Sequence, residues 1–443
     1  MRTLRRALLG ACAVLPLAAS ACGTDAPAEP GSPAVVRLYG SDGNMSNSFG
    51  DEFAEQPGLL AGMKGTSPLT PLAADFRSRL LDVDPKLQDF GYSAEAYDAV
   101  VIAVIATELA GSTEPREIAK HINGVTTGGT TCETVAACLG LARDGKDLHY
   151  RGVSLRRGGF TDAGEPATAS YATLHFGAND RIEEGKTEFV GAGDEASTTR
   201  AAAPKPRRQY GRDSGAPLKI GGLLPITGSL SFINPPMAAG AALAIKEANA
   251  AGGALGEPVT WVEGDDGTDP AKAKATVASH VREGVHVIIG AGASGVTRVV
   301  LPEVVAAGLV LFSPCNTAAD LSKAADKGLY FRTAPSDLLQ AKALADVILR
   351  DGTQKIAIAA RRDAYGEGLA ANVKAELEKL GMAGSAIRVV TYVPSEKANA
   401  TIPFGPQAAE VKEFAPDAVL VIGYAESASV IKQLAATGLK LGR

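Results

Sequence analysis

The residues best spaced for chemistry are three glycines. In IIGAGASG, Gly290-x-Gly292-x-x-Gly295 follows an apolar run that reads as a strand and precedes a helical pattern, which is the setting a dinucleotide fingerprint requires. In physical terms, backbone N–H groups exposed where a strand meets a helix N-terminus favour an anion, either pyrophosphate or carboxylate. The motif follows the third strand of its unit rather than the first, and no acidic residue ends a strand about 20 residues further on. Asp320 is nearest, but it follows the loop SPCNTAAD. These facts weigh against an NAD-dependent enzyme and leave a carboxylate site or a plain tight turn. Asp265-Asp266 in EGDDGTDP has the chemistry for metal or proton transfer, or simply caps the second strand and shapes the turn after it. His121, His149, His175, His280 and His286 are scattered, and none pairs with a Ser or Cys in a nucleophilic arrangement. The sequence therefore predicts no enzyme, no cofactor and no metal site.

The cysteines depend on compartment. Arg2, Arg5 and Arg6 precede a short apolar stretch, Ala7–Ala19, and Ala19, Ser20 and Ala21 lead to Cys22. This is an export signal too short to span a bilayer. Small residues ending on a Cys resemble the bacterial lipoprotein signal, in which that Cys becomes the acylated N-terminus. Ala19 stands where Leu is commoner, and an ordinary cleaved signal is the alternative. The expected location is the extracytoplasmic face of the cell membrane, held by lipid on Cys22. In an oxidising compartment Cys132 and Cys138, in TTCETVAACLGL, are near enough in sequence to close a small loop. Cys315 is left over.

The elements that must position these residues come from patterning. The chain has 443 residues, 46% of them hydrophobic, with a formal charge of −5. Two or three globular units fit that length, and the absence of a strongly basic face argues against a nucleic-acid partner. From Leu218 onward, short apolar runs (LKIGGLL, PVTWVEG, VHVIIGA, LVLFSP, KIAIAA, IRVVTYV, AVLVIGY) alternate with helical segments. That alternation means βαβ units and doubly wound parallel sheets. RTAPSDLLQ, Arg332–Gln340, marks passage from a first sheet to a second. Residues 35–192 read differently: a glycine-rich beginning, one long helix over Tyr92–Gly111, then short strand-like pieces. Ala96, Val100, Ala103, Val104 and Thr107 give the helix an apolar stripe with few partners nearby, so it must pack on something else. Residues 23–34 read as a tether and 193–217, rich in Pro, Arg and Ser, as a linker.

The quoted elements KIGGLLPITG, PPMAAGAALAIKEANAAGG, EGDDGTDPAKA, IIGAGASGVT, LFSPCNT, YFRTAPSD, DAYGEGLA and PDAVLVIGYAES run in order from Leu218 to Arg443. As a set they resemble the substrate-binding lipoproteins of ABC importers for branched-chain amino acids, the type I periplasmic binding proteins. The resemblance implies two doubly wound α/β lobes joined by a hinge: 218–336 the first, 337–443 the second. VVRLYGSDG, GMKGTSP and the long helix resemble the segments that come after those elements in that family, so 35–192 would complete both lobes. The order of the halves is then circularly permuted, with 193–217 bridging the old termini. A linker of roughly 20–25 residues at ~3.3 Å each can reach across such a domain. The rival arrangement is a domain swap between chains.

The resemblance also implies roles by position. Ser294 and the N–H groups of the turn after it hold a ligand's α-carboxylate. Thr317 and the carbonyl of Cys315 receive its polar end, including the ammonium, which Asp42 in GSDG faces. Tyr365 and Tyr424 supply aromatic contacts and Phe232 a side-chain wall. Read without the resemblance, Ser294 only caps a helix, Tyr365 is core, and Asp42 shapes a turn. Cys315 departs from the Ala or Ser commoner there and is open to oxidation. The implied function is a monomeric receptor that captures a small amino acid and delivers it to an ABC permease. A ligand sensor of the same fold, without transport, is the alternative.

Overall fold

The computed structural model describes residues 35–206, 216–395, 397 and 400–442. The signal with Cys22, the tether, residues 207–215 of the linker and Arg443 lie outside them.

Two sheets organise the described chain. The first has five parallel strands in the order Tyr330–Arg332, Val310–Ser313, Val287–Gly290, Lys219–Leu223, Thr260–Val262. The second runs Ile387–Tyr392, Ile356–Arg361, Ala418–Ile422, Val36–Gly40, Lys64–Pro68, all parallel, then Thr168–His175 and Glu188–Gly193. Here the structure departs from two purely parallel sheets, because Thr168–His175 pairs antiparallel with both Lys64–Pro68 and Glu188–Gly193. The connection between these last two strands, residues 176–187, holds a 3-10 turn at Glu184–Lys186 and no crossover helix, in keeping with the antiparallel pairing. The two-residue strand Leu441–Gly442 lies beside Val36 and Arg37 in parallel.

Strand periodicity sets the layers. In Ile356–Arg361, Ile356, Ile358 and Ala360 face one hydrophobic cluster while Ala357 and Ala359 face the other. Ala418, Leu420 and Ile422 alternate in the same way with Val419 and Val421. A parallel strand buried on both faces needs apolar residues at every position, which is why these runs are continuous in sequence.

Residues 36–193 contribute to both sheet layers. Val36–Gly40, Lys64–Pro68, Thr168–His175 and Glu188–Gly193 join the second sheet, and Thr130–Cys132 pairs with Leu148–Tyr150 apart from both. The helices Ser93–Ala110 and Pro115–Val125 pack on strands of the first sheet, and Val135–Arg143 packs on helix Asn234–Ala250. Every residue of Ser93–Ala110 is buried, so the stripe read from the sequence understates it. A helix covered on all sides tolerates apolar residues all round, and this one lies between its two successor helices, helix Asn234–Ala250 and the sheet strands Val287–Gly290 and Val310–Ser313. Cys132 and Cys138 form a disulfide at the edge of this layer.

The two sequence halves approach tightly at Gly240, where a Cβ would lie 2.1 Å from the Ser93 carbonyl oxygen. Gly240→Ala should destabilise the protein by about 1–3 kcal/mol, despite its better helix propensity, because backbone must move to admit it. Denaturant unfolding measures this; unchanged or raised stability would mean the two helices are not in that contact.

Candidate functional site

Asp42 enters the fold at the end of strand Val36–Gly40, in the short turn Asp42–Asn44. Its side chain is buried and satisfied by three neutral donors. The Tyr365 hydroxyl and Gln340 Nε2 donate to Oδ1, both at 2.7 Å, and the Tyr92 hydroxyl donates to Oδ2 at 2.6 Å. Burial holds its pKa above the usual carboxylate value, against the pull of those hydrogen bonds. Asp337, wholly buried at the start of helix Asp337–Arg350, is pushed well up by burial and then by the charge of Asp42. A carboxyl answered only by neutral donors, with a second buried carboxyl near it, makes this region demand a cation.

Opposite lies an anion-seeking end. Helix Ser294–Ala307 begins after Ala293, which offers no side-chain cap, so its first N–H groups keep their partial positive charge. The Ser294 hydroxyl accepts from the N–H groups of Thr317 and Ala318, each at 3.2 Å. That ties the helix start to the SPCNT loop.

Both ends border a tight cavity whose roughly 270 Å³ of empty space includes volume open to solvent, and which in this conformation has room for little more than one water molecule. Asp42, Ser294, Cys315, Thr317, Tyr365 and Tyr424 all line it. Phe232 does not; it lines a larger neighbouring pocket, and Ile233 takes the place beside the small cavity. The two occupy one tight 3-10 turn, Ser231–Ile233, in which successive side chains point about 120° apart. The second lobe's aromatics are fixed by charge. Arg361, buried and paired with Glu426 and Asp363 at 2.8 and 2.6 Å, stacks on Tyr424 at 3.7 Å. Tyr424 in turn stacks on Tyr365, with ring centroids 5.4 Å apart and planes 18° apart. The Cys315 thiol is buried and its pKa is raised well above normal by that burial. It stays protonated, so the ready oxidation expected from the sequence is suppressed in this conformation.

Sequence reasoning missed Tyr92, Gln340, Leu230 and Ile233. Tyr92 was legible only as a helix start, yet it adopts φ 61°, ψ 4°, a left-handed conformation that bulky residues rarely adopt and that concentrates at functional sites.

The glycine motif has a packing explanation. Gly290 has φ 141°, and a Cβ there would sit 2.0 Å from the Leu223 carbonyl oxygen. The Gly292 N–H donates to the buried Asp266 carboxylate at 2.7 Å, so a pyrophosphate laid on this turn would meet a fixed negative charge. Asp265 accepts from the Thr227 and Gly267 N–H groups, at 3.1 and 2.7 Å, which is turn-shaping work. Among the described residues no cluster of three or more His, Cys, Asp or Glu side chains is arranged to hold a metal.

Comparison with known proteins matches the later half of the chain. Residues 217–443 match the family described as Periplasmic binding protein. The chain is 28% identical over 229 residues to Leu/Ile/Val-binding protein homolog 3 of Brucella melitensis, a match covering 51% of this chain and 60% of that protein. It is 33% identical over 170 residues to Leu/Ile/Val-binding protein BraC3 of Rhizobium johnstonii, covering 38% and 46%. Among solved structures it is similar to the branched-chain amino acid transporter substrate binding protein LivJ from Streptococcus pneumoniae in complex with isoleucine, with 25% identity, TM-score 0.43 and coverage of 51% of this chain and 64% of that one. The chain thus spans less than two thirds of the length of these relatives.

The raised pKa of Asp42 gives a pH test with a definite sign. An ammonium beside Asp42 favours the carboxylate and lowers its pKa, so a cation-bearing ligand should bind with proton release. Affinity should fall as pH drops through the raised ligand-free pKa. Calorimetry in buffers of different ionisation enthalpy reads the protons released. Proton uptake, or release that persists in Asp42→Asn, would contradict the assignment.

Proposed function

The chain belongs to the periplasmic binding protein family, and from that premise we propose that it is an extracytoplasmic receptor for a small amino acid. In this reading the receptor closes its lobes on the solute and delivers it to an ABC permease. Lipid on Cys22 would hold it at the membrane. The observation that carries the reading is the single cavity that gathers Asp42 from the second lobe with Ser294 and Thr317 from the first. One end of that cavity calls for a cation and the other for an anion, the charge pattern of a zwitterion. Ser294 with the open helix terminus would take the α-carboxylate. Asp42 would take the ammonium, with Thr317 and the Cys315 carbonyl beside it, Tyr365 already hydrogen-bonded to Asp42 and Tyr424 stacked on Tyr365. An uncharged analogue would leave Asp42 without its cation, and the cost of that mismatch is the source of selectivity.

We further propose that the two halves are circularly permuted and fold within one chain. Support comes from strand Leu441–Gly442 lying against Val36–Arg37, and from residues 36–193 supplying strands to one sheet and helices to the other.

The test uses the mature chain, residues 23–443. A thermal-shift screen against the amino acids should find stabilisation of about 2.7 kcal/mol at roughly a hundredfold excess over Kd. Asp42→Ala and Ser294→Ala should each abolish it. Light scattering after size exclusion should give a monomer. Should no amino acid shift the melting temperature, the receptor reading fails; a dimer that exchanges halves would instead remove the single-chain permutation.

A further inference from the structure

We infer that the solute is longer than the small cavity. Resting on the receptor reading above, the geometry points to an α-amino acid whose aromatic or long apolar side chain lies in the larger pocket beside Asp42. That pocket has about 1200 Å³ of space, part of it open to solvent, and it shares Asp42, Tyr92 and Ile233 with the small cavity. The two spaces therefore share a wall made by Asp42, the residue that would hold the ligand's ammonium, with Tyr92 and Ile233. Tyr365, Tyr424 and Cys315 wall the small cavity and are absent from the lining of the larger pocket. In this conformation the small cavity has room for little more than one water molecule, so a bound head group widens it, and the roomier space lies past Tyr92 and Ile233.

The larger pocket presents more apolar than polar surface, with Arg77, Asp89 and Glu184 also bordering it. Phe232 and Pro236 come from the first lobe, Phe90 from the segment before the long buried helix, and Ile182 and Phe189 from the antiparallel edge of the second sheet. Phe189 remains 45% exposed, an apolar ring at the mouth that an occupant would cover. The Arg77 guanidinium lies 4.5 Å from the centre of the Phe90 ring, placing the polar boundary on the outer side. Complementarity supplies the orientation: the cation goes to the buried carboxylate, the apolar tail to the aromatic walls. Both lobes line the pocket, so a tail lying in it would also add contacts that favour the closed form.

Each methylene moved from water onto these walls is worth roughly fourfold in affinity. Calorimetric titration of the mature chain with L-alanine, L-valine, L-leucine, L-phenylalanine and L-tryptophan reads the trend. Phenylalanine or tryptophan should bind roughly tenfold or more tightly than valine. In Phe232→Ala the ratio of phenylalanine to valine affinity should fall by about the same factor. Where Phe232→Ala melts early without ligand, Phe90→Ala serves for the same ratio. Valine or leucine binding as tightly as the aromatic amino acids, or a ratio unmoved by either substitution, overturns the inference and leaves the receptor reading standing. No binding by any of the five removes both.

Discussion

The structure turns on a buried carboxylate that its own protein surrounds with hydroxyls and an amide instead of a cation. Asp42 takes hydrogen bonds from Tyr92, Tyr365 and Gln340, and these donors arrive on three different helices or helix starts. Neutral donors stabilise a carboxylate enough to keep it in place, yet leave its charge uncompensated in a low-dielectric setting. That residual demand gives the site its sign, and meeting it requires residues 42, 92, 340 and 365 to converge. The convergence ties the first strand of the described chain to the long buried helix, to the helix that opens the second lobe and to the helix after Ile356–Arg361. Positions far apart in sequence are thereby bound to one small volume.

Much of the fold was legible because a buried parallel strand leaves a continuous apolar signature. Ile356–Arg361 and Ala418–Ile422 are apolar on both faces, and each face meets a different cluster. The antiparallel edge was legible only in part. ASYATLHFGAND reads as strand-like and covers most of Thr168–His175, but nothing in its residue types marks the antiparallel pairing. Glu188–Gly193 is largely exposed and presents no run that composition separates from loop. Helix Ser93–Ala110 was visible but misjudged. A stripe is the signature of a helix with one wet face, and a helix enclosed by helices contributed from elsewhere in the chain shows no such face in sequence.

The site divides in the same physical way. Asp42, Ser294, Cys315, Thr317, Tyr365 and Tyr424, which the resemblance picked out, stand a few residues after a strand, in turns or in the first turn of a helix. All six line one cavity. Tyr92, Gln340 and Ile233 contribute through helix phase and through one left-handed residue. A single-residue rotation in the Ser231–Ile233 turn exchanges Phe232 for Ile233, and nothing in residue type fixes that phase. The exchange has a consequence for shape: a smaller aliphatic side chain borders the head-group cavity, and the ring is freed to wall the space beyond.

The glycine-rich turn shows how one backbone design separates two ligand classes. A strand leading into an uncapped helix offers N–H groups to any anion, and Gly290 and Gly292 bring the backbone close enough for a bulky one. What decides the outcome is Asp266, which already consumes the Gly292 N–H. A diphosphate spread along this turn would place its charge against that carboxylate. A single carboxylate held further along, at Ser294 and the helix start, avoids it. In the proposed reading, with Asp42 lining the same cavity, that anion would come from a molecule that carries its own cation a short distance away. The positive helix end and the buried Asp42 would then compensate one ligand together, each making the other's partner cheaper to desolvate.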